Sequence, residues 1–264
     1  MAKKENSRLT RFGFSTGKGS AHTKRTMMLK ELTTLLETVS DPKAPFDDYK
    51  KAIIEENCLR KPSMATRRYT AAYLKALYAL DPKVTLFRTL RYFWDRDLSG
   101  RPLIAFLCAF ARDPILTDLT HYVLDLPEGQ LPSKHNLEDL IEQKYPGRFS
   151  PVMKSSLGRR MLSSWTQAGF LHGRNPKIRS QAVPTAGSTS YALLLAFLRG
   201  VRGPLLFETD YARLLDCSSY RAVELAEEAA RRGWIVFSRV GDVMEVSFPN
   251  FLNSIEMERI REQN

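Results

Sequence analysis

Apolar residues recur three and four positions apart through the first half of the chain. Met28, Leu32, Leu35, Leu36 and Val39 share one helical face, Tyr69, Tyr73, Ala76, Leu77 and Leu80 a second, and Leu86, Phe87, Leu90, Phe93 and Trp94 a third. Pro42, Pro62, Pro82, Pro102 and Pro114 fall where helices would start, because a missing N–H costs nothing in a first turn. Ser63 is placed to cap the helix that follows it. The helix near Pro102 is apolar on all sides, which predicts a central position. The pattern predicts a compact bundle of about six helices over residues 26–130.

Beyond Leu126 the pattern changes. Pro127, Gly129 and Pro132 read as a linker, Leu137, Leu140 and Ile141 as a short helix, and Ser150 as the cap of a longer helix ending at Gly169. An apolar pair at 170–171, a turn around Gly173-Arg174-Asn175-Pro176 and a run from Ile178 to Val183 complete the order of a winged helix-turn-helix. The same order recurs: helices over 190–199, 207–215 and 218–232, then two alternating runs around Val240-Gly241-Asp242, a hairpin signal. The expected fold is mainly α, with an N-terminal helical bundle followed by two winged helix-turn-helix-like modules carrying short β-hairpin wings. The expected divisions are a flexible basic arm (1–25), the bundle (26–130), a first module (131–187), a second module (188–250) and an amphipathic tail (251–264).

Charge changes this picture from architecture to partner. The chain has 264 residues and a formal net charge of +11. No acidic residue occurs between Glu142 and Glu208, an interval holding ten basic ones, and residues 1–30 hold eight basic residues against Glu5 alone. The rest of the chain is net acidic, so the excess is local, as a binding face requires. Basic residues without nearby carboxylates favour a polyanion, because each contact to a phosphate releases condensed counterions and no carboxylate opposes it.

Candidate chemistry adds little. Cys58, Cys108 and Cys217 are widely spaced and form neither a disulfide framework nor a metal cluster, which fits a reducing cytoplasm. His22, His121, His135 and His172 show no metal-ligand spacing, and no Gly-x-Ser-x-Gly elbow exists. The stretch from Gly13 to Ser20 resembles a phosphate-binding loop but has the wrong glycine spacing and lacks the hydroxyl after Lys18. Glu142-Gln143-Lys144 has the shape of a nuclease E-x-K motif, yet sits at a helix end without a preceding acidic strand. The cluster Glu55-Glu56-Asn57 reads as a charged helix terminus. The longest apolar stretches, 103–111 and 191–198, fall far short of the roughly 20 residues needed to cross a bilayer. The expectation is a protein with no enzymatic activity, cofactor, metal or membrane span.

The binding candidates lie mostly in the first module. Lys154, Ser155, Arg159 and Arg160 belong to its capped helix, whose N-terminal end suits phosphates. Arg174, Lys177 and Arg179 fall on its wing, and Arg60, Lys61, Arg67 and Arg68 extend the basic surface onto the bundle. In the second module Arg213, Arg221, Arg231, Arg232 and Arg239 are balanced by Asp210, Glu224, Glu227 and Glu228, which predicts a packing or partner role.

The run Glu-Glu-Asn-Cys-Leu-Arg-Lys-Pro-Ser-Met-Ala-Thr-Arg-Arg (55–68), together with residues 77–80, 86–91, 157–169 and 191–195, resembles the BrxA family of BREX phage-resistance systems. The resemblance spans nearly the whole chain and implies a small, helical, non-enzymatic protein that binds double-stranded DNA beside a methyltransferase and large ATPases. It implies no catalytic residue. The expected function is therefore a cytoplasmic duplex-DNA-binding accessory protein of anti-phage defence, gripping the phosphate backbone through residues 144–180 and the N-terminal arm. The sequence leaves open RNA as a competing ligand, a protein-interaction scaffold, and a sequence-specific winged-helix transcription regulator.

Overall fold

In a computed structural model, the described residues are Leu9–Ser15, Gly17, Gly19–Gly241 and Val243–Arg261. The mainly helical expectation holds, with two small antiparallel hairpins in addition to the helices. Helices α1 (Leu29–Thr38), α2 (Phe46–Ile54), α3 (Met64–Tyr78), α4 (Thr85–Trp94), α5 (Arg101–Arg112) and α6 (Pro114–Leu124) form the bundle. The first module follows as α7 (Lys134–Lys144), α8 (Pro151–Ala168), β1 (Leu171–His172) and β2 (Ile178–Arg179). The second is α9 (Ala186–Leu198), a 3-10 segment (Gly203–Glu208), α10 (Asp210–Arg213), α11 (Ser219–Arg231), β3 (Val236–Val240) and β4 (Val243–Ser247). Helix α12 (Ser254–Arg261) ends the described chain.

The three parts share one core. Helix α5, buried from Leu103 to Ala111, packs against α3, α4 and α6 of the bundle, α8 of the first module and α9 of the second. Helix α9 is buried along its whole length and packs on α4, α5, α10 and α11. An apolar helix with no polar face must be covered on every side, and the two modules supply that cover. The divisions at 130 and 187 thus mark chain order, and the apolar cluster runs unbroken across both.

Local signals explain most boundaries. Ser63, Ser150 and Ser218 cap α3, α8 and α11 by accepting the amide protons of Thr66, Met153 and Arg221. Helix α3 departs from its expected stripe. It buries Thr70, Ala71, Leu74, Leu77 and Tyr78, while Tyr69 is 61% exposed. One other segment also departs from expectation. The region read as a flexible arm is packed where it is described: Leu9, Phe12, Phe14, Ala21 and His22 are buried. Met1–Arg8, Thr16 and Lys18 lie outside the described residues, and so does part of the Gly13–Ser20 stretch. The tail, in turn, is docked. Phe251, Leu252 and Ile260 are buried, and the Glu256 carboxylate bonds the Arg88 guanidinium at 2.8 Å and the Thr85 hydroxyl. Among the described residues no helix is long and apolar enough to cross a membrane.

Candidate nucleic-acid interface

Helix α8 is the spine of the predicted interface. Its apolar side, Leu157, Met161, Trp165 and Ala168, faces the core, leaving Pro151, Val152, Met153 and Arg159 exposed. No acidic side chain lies in its first turn, so the unpaired amides and the helix dipole present positive potential there. The hairpin after it is short: Leu171 pairs with Arg179 and His172 with Ile178. Residues Gly129 and Gln130 of the linker bond the backbone of Arg179 and cover the outer edge of β2. Only the tip, 172–176, is exposed. Gly173 at φ 83° makes that turn, where an added Cβ would lie 2.6 Å from the Pro176 carbonyl oxygen.

Bonding sorts the predicted contacts sharply. Arg159 is exposed and held by neutral groups, donating to the Ser155 and Ser156 hydroxyls at 3.2 and 2.9 Å. Arg160 is half-buried beside it, and burial first, then the charges of Arg159 and Arg25, lower its pKa. Arg174 is exposed at the wing tip. Lys177 donates to the Thr166 hydroxyl at 2.7 Å, with burial lowering its pKa. Lys154 differs from expectation, because its ammonium bonds Glu142 at 2.9 Å and much of its charge is cancelled. Glu142 also accepts the Gly147 amide at 2.9 Å, and this bond, with that from Lys154, lowers its pKa. Its oxygens close the α7–α8 turn.

Arg179 corrects the sequence reading most clearly. It is 6% exposed and forms a two-pronged pair with Asp216, both contacts 2.7 Å, so it joins the first wing to the second module and is withdrawn from phosphate contact. Asp216 also accepts the Ala182 amide. Nothing local in the sequence signals this pair, because its carboxylate, Asp216, lies beyond the acid-free interval. On the bundle, Lys61 pairs with Glu31 at 2.9 Å, and Arg67 donates to the carbonyl oxygens of Ile54 and Lys61. Arg60 and Arg68 are exposed and form no ion pair among the described residues. In the second module, Arg213, Arg221 and Arg232 pair with Asp125, Glu224 and Glu228.

The end of the segment read as a flexible basic arm lies against α8. The 3-10 turn Ala21–Thr23 and the residues after it run as a strap between α3 and α8. His22, fully buried, sits between Asp113 (Nδ1 to Oδ2, 3.0 Å) and Ser164 (Nε2 to Oγ, 3.0 Å). The spacing imitates a serine–histidine–aspartate triad. The Ser164 side chain, however, is wholly buried within α8, its hydroxyl accepts the Met27 amide at 2.9 Å, and Asp113 caps α6. These bonds tie the strap to the bundle and to α8. They give Ser164 no approach for a substrate. Among the described residues no group of three or more His, Cys, Asp or Glu is placed to hold a metal.

No protein-family model matches the chain, and no curated protein matches it.

Proposed function

We propose that this protein is a non-enzymatic, duplex-DNA-binding accessory protein that grips the phosphate backbone through the exposed side of α8 and the tip of the first wing. The observation that carries the reading is that Arg159, Arg160 and Arg174, from the acid-free interval of the sequence, form no ion pair among the described residues, unlike Lys154 and Arg179 beside them. Ser155 and Lys177 flank them, and Arg60 and Arg68 extend the basic surface. Lys and Arg without base-reading amides or acids address phosphates in preference to base edges. In the second module Arg213, Arg221 and Arg232 are held in carboxylate pairs, and its helix α11 is acidic where a reading helix would be basic. That favours a packing role, and with it weak sequence discrimination, over a sequence-specific regulator. The resemblance to BrxA supports a role within BREX defence beside a methyltransferase and ATPases, and the widely spaced cysteines support a cytoplasmic setting.

The test is a titration of labelled duplex at several salt concentrations. With about five phosphates neutralised, log K falls against log salt with a slope near −4.5. Exchanging Arg159 and Arg160 together for Glu lowers affinity by well over tenfold at low salt, and the same exchange at Arg231 and Arg232 much less. A salt-independent response would leave the interaction scaffold as the better reading. Tighter binding to RNA than to duplex of equal length would move the partner to RNA.

A further inference from the structure

Several arginines of this molecule are fixed by carboxylates, Arg88 by Glu256, Arg91 by Asp95, Arg179 by Asp216 and Arg213 by Asp125, while others, such as Arg96 and Arg202, lie over aromatic rings. Along the seam where the strap meets α3 and α8, the supports are neutral. The Arg25 guanidinium lies over the Tyr73 ring, 5.1 Å from its centroid, and donates to the Lys24 carbonyl oxygen at 3.0 Å. Arg159 rests on two serine hydroxyls. Arg160 follows Arg159 on α8, and its carbonyl accepts the hydroxyl of Ser164, the same hydroxyl that holds the Met27 amide two residues after Arg25. Burial and the charges of Arg159 and Arg25 lower its pKa. Three guanidiniums gathered this way repel one another, and their supports orient them without neutralising them.

We propose that the strap is itself part of the nucleic-acid site, with Arg25, Arg159 and Arg160 together gripping consecutive phosphates of one strand. The inference rests on the duplex-binding reading and extends it across the seam to a segment outside the winged modules. Preorganisation supports it. The backbone on either side of Arg25 is held to α8 by the Met27 amide on Ser164 and the Leu29 amide on Gln167, both 2.9 Å, and to α3 by the Tyr78 hydroxyl on the Met27 carbonyl. A side chain on a fixed backbone, laid on an aromatic ring, loses less freedom when it meets a phosphate. A phosphate oxyanion accepts from two guanidinium edges at once, which matches paired arginines better than lysines.

The experiment compares the unsubstituted full chain with Arg25→Ala, Arg160→Ala and the double variant by fluorescence anisotropy on a labelled duplex across a salt series. Lys43→Ala, at an exposed lysine remote in sequence, is the control. Arg25→Ala is expected to weaken binding several-fold at low salt and to make the salt slope shallower by about 0.9, as loss of one phosphate contact requires. The double variant should lose less than the product of the single losses, because the two arginines act on shared phosphates. Unchanged thermal melting shows that the variants fold. If Arg160→Ala weakens binding while Arg25→Ala matches the control, the strap is outside the site and this inference fails with duplex binding intact. If the unsubstituted chain does not bind duplex, both fail.

Discussion

What an arginine does in this protein is decided by the group that holds its guanidinium. Arg179 and Arg160 come from the same acid-free interval and have opposite roles, since Arg179 meets a carboxylate through the fold and Arg160 meets other cations. Breaking a buried pair costs more than the pair contributes, because the remaining charge keeps its desolvation penalty without its partner. Arg179→Met therefore strands Asp216, and we expect a loss of about 3 kcal/mol, read as a lower urea midpoint with an unchanged slope. Asp216→Asn in the same background should recover part of it by removing the stranded charge. It also suits the backbone there, where φ is 55°. Neither change should alter the salt slope of duplex binding, which a phosphate-contacting Arg179 would have to do.

At the scale of elements, α9 shows how a wholly buried helix is started. Thr185 and Ser188 cap each other, and Asp97 accepts the Gly187 amide at 2.9 Å, the Thr185 hydroxyl at 2.5 Å and the Gly100 amide at 3.1 Å. At this end of the helix a carboxylate from the α4–α5 connection satisfies donors that the helix itself cannot. The space is tight: an added Cβ at Gly187 would lie 2.3 Å from the Asp97 carboxylate. Gly187→Ala should therefore destabilise the protein, although the same change in an open helix stabilises by about 1 kcal/mol. In an Asp97→Ala background the penalty should shrink, a coupling that a double-mutant cycle measures. This cap also marks the limit of sequence reading. Helical period, serine caps and turn glycines are local, so the helix count, both module orders and the α8 cap were legible. The start of α9 was expected at residue 190 and lies at Ala186, because its capping carboxylate comes from another element. Tyr69 and Tyr73 looked like core at helical spacing, but α3 turns its Thr70–Leu74 face inward. For the same reason a charge count could find the basic residues, while the ion pairs of Lys154 with Glu142 and of Arg179 with Asp216, and the seat of Arg25 over Tyr73, depended on tertiary neighbours.

At the scale of the whole molecule, the strap connects the parts that the chain order separates. Asp113 stands at the junction of α5 and α6, accepting from the Ser20 hydroxyl at 2.6 Å, the Ala21 amide at 2.8 Å, the Leu116 amide at 3.1 Å and His22. Burial pushes its carboxyl pKa up, but the His22 charge and these hydrogen bonds outweigh it, and the net direction is downward from 3.8. A depressed carboxyl contributes stability that is present above its unfolded pKa and is lost as pH falls through the lower folded value. The unsubstituted protein should thus keep this contribution at neutral and mildly acidic pH and lose it only below the usual carboxylate range. Asp113→Asn keeps the shape but not the charge, and lacks an acceptor for one of the bonds. It should be less stable by about 2 kcal/mol at pH 7, and the gap to the unsubstituted protein should close as pH drops below about 4. Urea midpoints at stepped pH values check this. A gap that stays constant down to acid would mean that Asp113 acts as a hydrogen-bond acceptor and not through its charge. A gap that closes would identify its ionised carboxylate as what fastens the strap, with Arg25 on it, to the body of the protein.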